Sequence, residues 1–168
     1  MGWSSTRYSA GLSGRSSRNT KPELLLRRRL SALGLRFRLH RSILPGITPD
    51  LAFPTSRVCV YVDGCFWHGC PQHGGRQFQG PNRLLWVAKL RRNRVRDRRA
   101  VAALKSLGWM PLRIWECQVS REVEDCCQAI LRLVRERSPS KRNVRPQPPT
   151  DHVCGGDVRR SKSTAAHR

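Results

Sequence analysis

Leucines at 26, 30 and 33 recur at the spacing of one helix face, directly after Thr20-Lys-Pro-Glu23. Thr at the N-cap and Glu at N3 form a capping box, Pro22 is tolerated in the first turn, and Gly34 supplies a stop, so the pattern predicts a first helix. Leu35, Phe37 and Leu39 then alternate with Arg36, Arg38 and His40, the signature of a half-buried strand. Leu44-Pro-Gly-Ile-Thr-Pro49 reads as a turn-rich connector into a short strand, Leu51-Ala-Phe53. Pro54-Thr-Ser-Arg57 turns the chain into its most apolar strand, Val58-Cys-Val-Tyr-Val62. After a loop over 74–82, a long helix is predicted from about Asn82 to Leu107, with Gly108 as its stop. Trp109 to Trp115 reads as another strand, with Pro111 marking a bulge or an edge position. A final helix, about Glu122 to Arg137, buries Val123, Cys127, Ile130 and Val134. Helix, three strands, long helix, strand, helix make one α/β domain over 20–137, with a mixed central sheet flanked by helices.

The ends of the chain lack such patterning. Residues 1–19 are rich in Ser, Gly and Arg and are expected to form a flexible basic segment. From Ser138 onward, Pro, Arg, Lys and Ser predict a disordered basic tail over 138–168.

Charge narrows the function. With 33 Lys+Arg against 11 Asp+Glu, the 168-residue chain carries a formal charge of +22, which points to a polyanion and most simply to nucleic acid. An anionic membrane surface fits less well, because no amphipathic anchor or lipidation signal is present. No apolar run approaches the roughly 18 residues of a membrane span, and no signal-peptide core opens the chain. The expectation is a soluble, intracellular protein. Seven cysteines, an odd number, favour metal binding over a disulfide framework. Of these, Cys59 sits in an apolar run and reads as core, Cys126 and Cys127 lie in a helical pattern and should pack, and Cys154 in the tail has no evident partner.

The candidate chemistry is concentrated in Val62-Asp-Gly-Cys-Phe-Trp-His-Gly-Cys-Pro-Gln-His73. Cys65, Cys70 and His73 have the C-x4-C-x2-H spacing of soft, zinc-type ligands. His68 is then an additional imidazole, although the spacing also allows it to replace His73 as the third local ligand. Asp50 opens one strand of the predicted hairpin and Asp63 closes the next. Side by side, the two carboxylates could converge on one cation, as a magnesium-dependent phosphodiesterase requires. Phe66 and Trp67, adjacent in a loop, point different ways and do not easily share one small pocket. Between Lys89 and Arg99 seven of eleven residues are basic and Asp97 is the single acid, so one helix face should meet phosphates. Lys89 and Asn93, four apart on that helix, both suit base-edge hydrogen bonds.

Leu44-Pro-Gly … Pro49-Asp50, Val62-Asp-Gly-Cys-Phe-Trp-His68 and Trp115-Glu-Cys117 together resemble the very short patch repair (Vsr) DNA mismatch endonucleases, over about residues 16–136. The Thr20-Lys-Pro-Glu23 opening and the Asn93 … Arg96-Asp-Arg-Arg99 helix fit the same pattern. The resemblance implies a restriction-endonuclease-like fold with a structural Zn²⁺ on Cys65, Cys70, His73 and Cys117. It also implies a Mg²⁺-dependent nick on the 5′ side of the thymine in a T:G mismatch left by deamination of 5-methylcytosine. By position, Asp50 matches the family's metal-binding aspartate, His68 its catalytic histidine, and Glu23 a helix glutamate near the active site. Phe66, Trp67 and Trp86 match aromatics that wedge into the duplex, and Lys89 and Asn93 match positions facing the mismatched pair. The implied partners are double-stranded DNA carrying the mismatch, mismatch-repair proteins and a DNA polymerase, with the enzyme acting as a monomer.

One departure from the wider superfamily stands out. An acid-x-Lys pair usually follows the Pro-Asp, yet residues 60–63 read Val-Tyr-Val-Asp. Either Asp63 is a second magnesium carboxylate, or the metal takes a backbone carbonyl and phosphate oxygens; His68 then replaces the lysine in activating water. Two rival readings remain: a zinc-stabilised DNA-binding protein whose nuclease centre has decayed, and a restriction-type nuclease of the same fold without mismatch specificity. Intact Asp50, Asp63 and His68 argue against decay.

Overall fold

The computed structural model describes residues 2–5, 18–73, 78 and 80–139. The expected flexible segment falls largely on residues outside these, as does the basic tail from residue 140 onward. The elements are α1 (Lys21–Ala32), β1 (Arg38–Leu39), β2 (Leu51–Phe53), β3 (Val58–Asp63), α2 (Cys65–His68), α3 (Arg83–Ser106), β4 (Met110–Trp115), α4 (Glu116–Arg121) and α5 (Val123–Arg137). Four strands form one mixed sheet in the order β1-β2-β3-β4; the first two pairings are antiparallel and β3-β4 is parallel. A parallel neighbour requires a long crossover, and here it runs through α2 and α3. Pro111 lies on β4 at the sheet's edge, where a missing backbone donor is tolerated. Among the described residues no helix is long and apolar enough to cross a membrane.

The core occupies one face of this sheet. Val58 and Val60 of β3 point there with Leu51, Phe53 and Ile114, and meet Leu26 and Leu30 of α1, Val119 of α4, and Cys126, Cys127 and Ile130 of α5. Strand alternation sends Tyr61 and Asp63 to the opposite face, towards α3. The alternation of Leu35, Phe37 and Leu39 produces only a two-residue strand. Leu35 and Phe37 instead pack partly against the core, and Leu39 is exposed. In α5, Leu131 is buried with Cys127 and Ile130, whereas Val123 and Val134 are only partly covered. The short helix α4, too short to show periodicity in the sequence, is held at its start by Gln118 Oε1, which accepts from the Trp115 N–H at 3.0 Å.

The two capping sites are used in unexpected ways. Glu23 accepts from the Asn19 N–H at 3.0 Å and the Thr20 hydroxyl at 2.9 Å, so Thr20 bonds the carboxylate and leaves the backbone N–H groups of α1 uncapped by its side chain. Asn82, the N-cap residue of α3, likewise makes no side-chain cap, forgoing roughly 1 kcal/mol of helix stability. Its amide bonds Ser4 instead, accepting from the Ser4 N–H at 2.9 Å and donating to the Ser4 carbonyl at 2.7 Å.

Because Ile130 is fully buried where α5 meets the sheet, Ile130→Ala is expected to cost about 3 kcal/mol in urea-unfolding stability. A loss below about 1 kcal/mol would mean that α5 is not packed as described.

Candidate active site and metal centre

At the end of β3 the chain turns through Gly64 into α2, and that turn starts two sites. Cys65 lies in the first turn of α2, Cys70 just beyond its end, His73 three residues further on, and Cys117 in the first turn of α4. One ligand atom from each lies within 4.8 Å of all the others. The Cys70 and Cys117 Sγ atoms are 3.8 Å apart, and Cys70 Sγ is 3.8 Å from His73 Nδ1. A tetrahedral zinc with Zn–S bonds of about 2.3 Å has edges of about 3.8 Å, so the donor set fits that ion in type and spacing. Glu116 reinforces the junction, its Oε1 accepting from the Cys65 N–H at 2.8 Å. Gly69 ends α2 with φ +72°, and a Cβ there would come within 2.6 Å of the Arg94 guanidinium. That tight passage separates His68 from Cys70.

His68 consequently faces away from the thiols. Its Nδ1 lies 2.7 Å from Asp97 Oδ2, and Arg113 Nη2 is 3.3 Å from the same nitrogen. Guanidinium only donates, so the shorter carboxylate contact sets the tautomer: Nδ1–H donates to Asp97 and Nε2 carries the lone pair. Asp97, the single acid among the helix cations, thus has a defined task that its sequence position alone does not disclose.

Asp50 and Asp63 line one groove with His68, Glu23, Tyr61, Asp97 and Arg113, but their surroundings differ. Leu51 pairs with Val60, and the Val62 N–H donates to Asp50 Oδ2 at 2.7 Å, so Asp50 lies opposite the last residues of β3 and Asp63 sits farther along. Burial raises the Asp50 pKa to about 6, opposed by the Val62 bond and by Arg27, and assisted by the carboxylates of Glu23 and Asp63. Among the described residues the Tyr61 hydroxyl, on the same groove, is buried and without a hydrogen-bond partner. A carboxylate whose ionisation is opposed by partial burial, at the wall of a groove, fits a divalent ion. Asp63 instead accepts from Arg113 Nε and Nη2, each at 2.6 Å, in a bidentate pair. Any role for Asp63 as a second metal carboxylate requires that pair to open.

Glu23 is buried, and both its oxygens are engaged: Arg27 donates to Oε2 at 2.7 Å in addition to the bonds from Asn19 and Thr20. Arg27 in turn reaches His40 Nε2 at 3.2 Å. Glu23 therefore shapes the field around Asp50 while anchoring the start of α1.

The aromatic residues meet after all. Phe66 and Trp67 lie in α2, not in a loop, and their rings touch edge to face at 5.1 Å. Phe66 meets Trp86 at 5.1 Å and Trp67 meets Trp86 at 5.8 Å, forming a cluster between α2 and α3. Asn93 fastens it, donating to the Trp67 carbonyl at 2.9 Å. Its amide thus supports the Trp67 backbone, a contact the spacing of Lys89 and Asn93 does not reveal. On α3, Arg91, Arg92, Arg96 and Arg99 border the groove that contains Asp50.

Two outcomes follow from this geometry. Burial raises the Asp50 pKa in the folded state from 3.8 to about 6, so its ionisation opposes folding. The cost is absent below pH ~4, where both states are protonated, and is complete above pH ~6. In metal-free protein Asp50→Asn should therefore stabilise by ~1–3 kcal/mol at pH 7.5 and by nothing at pH 4; equal melting shifts at both pH values would contradict this. Removing bound metal with a chelator, or substituting Cys117→Ser, should lower the melting temperature by at least about 10 °C. An unchanged transition after verified metal removal would refute a structural role for the four-residue cluster.

The family model for DNA mismatch endonuclease Vsr matches residues 3–73. The type II nicking enzyme V.XorIIP of Xanthomonas oryzae pv. oryzae (strain KACC10331 / KXO85) is 48% identical over 106 residues, covering 62% of this chain and 75% of that protein. The type II nicking enzyme V.NaeI of Lentzea aerocolonigenes is 39% identical over 136 residues, 74% of this chain and 79% of its own length. The DNA mismatch endonuclease Vsr of Escherichia coli (strain K12) is 36% identical over 104 residues, covering 61% and 64% respectively. With these relatives, the chain belongs to the Vsr family of DNA endonucleases.

Proposed function

We propose that the protein nicks duplex DNA on the 5′ side of the thymine in a T:G mismatch, in a Mg²⁺-dependent reaction that begins very short patch repair. The observation that carries this reading is the groove itself. It brings the His68–Asp97 pair and the partly buried Asp50 together with a strip of arginines, and the helix that carries His68 also carries Phe66 and Trp67 of the aromatic cluster. In this reading His68 Nε2 takes the proton from the attacking water, while Asp97 holds the ring and stabilises the imidazolium that forms. Asp50 would hold the magnesium ion, whose charge would stabilise the scissile phosphate and the leaving 3′-oxygen. Arg113 keeps Asp63 and Asp97 in register with His68. Glu23 contributes charge near Asp50 without touching the reacting atoms. Zinc fills the Cys65, Cys70, His73 and Cys117 site as a closed structural centre with no position for water.

Phe66, Trp67 and Trp86 supply the preference for a mismatch. Inserting apolar rings between base steps costs a few kcal/mol of unstacking, and a mispaired step costs least to open. The name of the Escherichia coli relative supports this substrate, and those of the other relatives support cutting of one strand. The proposed setting is the bacterial cytoplasm, where a monomer leaves its nick to a DNA polymerase and other repair proteins.

The test is cleavage of two end-labelled duplexes in Mg²⁺, one with a T:G mismatch in a cytosine-methylation context and one fully paired. A nick confined to the thymine strand of the mismatched duplex is the expected result, whereas equal cutting of both would remove mismatch specificity. Asp50→Ala and His68→Ala should each lower the nicking rate by at least about 10³-fold with binding retained. Unchanged nicking in either variant would take that residue out of the mechanism.

A further inference from the structure

Lys89 is enclosed by indoles. Its Nζ lies 4.8 Å from the Trp67 ring centroid, 5.3 Å from Trp86 and 5.9 Å from Trp3. Trp67 comes from α2 and Trp86 from α3, whereas Trp3 belongs to the N-terminal stretch and reaches the cluster from far away in sequence. Its ring meets Trp86 edge to face at 4.8 Å. Trp3 remains 52% exposed, so it is not there to fill the core. Its neighbour Ser4 is gripped at both backbone atoms by the amide of Asn82, which is 7% exposed and makes no helix cap. A buried amide that abandons its own helix to hold a residue 78 positions away fixes Trp3 at this place.

We propose that Trp3 is a positioning residue for recognition: with Trp67 and Trp86 it closes a three-indole cage that holds the Lys89 ammonium at the aromatic wedge, and the Asn82–Ser4 clasp keeps it closed. The inference rests on the wedge reading given under Proposed function and adds a residue and a mechanism to it. A lysine is a compact charge on a flexible four-carbon stem, which loses much rotamer freedom when it binds. Cation–π attraction to three ring faces confines that stem before DNA arrives, and partial desolvation strengthens the attraction. Trp67 and Trp86 serve both as cage walls and as wedge rings. The ammonium is therefore delivered wherever those rings enter the stack, beside the base edges it can donate to. Loss of Trp3 leaves the ammonium two walls and a wider range of positions.

The experiment uses the full chain, zinc-loaded, as wild type, Trp3→Ala, Trp3→Phe and Asn82→Ala. The first readout needs no DNA: the Lys89 ε-methylene NMR signal, assigned among the protein's five lysines with Lys89→Arg. Ring currents should move it upfield of the other lysines in wild type, and that displacement should shrink in Trp3→Ala and Asn82→Ala as one ring is lost and the stem samples more positions. The second readout is the ratio of affinities for T:G-mismatched and paired duplex. The ratio should fall roughly five- to tenfold in Trp3→Ala, recover in part in Trp3→Phe, and fall no further when Asn82→Ala is added to Trp3→Ala. A Lys89 signal that keeps its displacement in Trp3→Ala would overturn the proposal, as would a lost displacement with an unchanged ratio. A wild-type ratio of one would overturn the mismatch reading itself, and so is separable from a wild-type preference that survives Trp3→Ala, which overturns this inference alone.

Discussion

The Asp97 carboxylate accepts from His68 and Arg113 together, and through that contact the long helix α3 joins the sheet. Arg113 on β4 also clasps Asp63 on β3, so one group of four side chains ties together two strands, the short helix α2 and α3. Such partly buried pairs add little net stability when formed, yet losing one partner costs several kcal/mol because it strands the other charge. The need for the cluster follows from the composition of α3. Of its 24 residues only Leu104 is buried, so apolar packing, mainly Trp86 against Phe66 and Trp67, gives it a limited hold. Polar ties add to that packing: Asn93 to the Trp67 carbonyl, Arg94 to the Gly69 carbonyl, and Asn82 to Ser4.

The two faces of the sheet therefore follow different physics. One carries Val58, Val60, Leu51 and Phe53 against α1, α4 and α5 and is a conventional hydrophobic interior. The other carries Tyr61, Asp63 and Arg113 against a helix that is basic nearly all round, and leaves a groove. A polyanion needs such a groove, since burying arginines in a core would remove the charges that attract phosphate.

Sequence reading succeeded where the signal was local. The C-x4-C-x2-H spacing brought Cys65, Cys70 and His73 together, and resemblance supplied Cys117. The helices around Leu26 and Ile130 and the apolar strand at Val58 were visible in periodicity. Three features were not legible, for a shared reason. The partner of Asp63 depends on β3-β4 register, because Arg113 lies across from it only once that parallel pairing forms. The task of Asp97 depends on which way Gly69 turns the chain. The use of Asn82 and Trp3 depends on a contact across nearly half the chain, with a stretch whose composition reads as flexible. The Leu35–Leu39 alternation misled in the opposite direction, since its apolar side chains found the core without forming a full strand.

A helix joined to its domain by a few named side chains, with almost nothing pledged to the interior, has an outer surface free to change. Residues along that surface of α3 can be exchanged without disturbing the hydrophobic core, provided Asn82, Asn93, Arg94, Asp97 and Leu104 stay. The same division lets the exposed side chains of this helix drift while the core and the groove behind it stay in place.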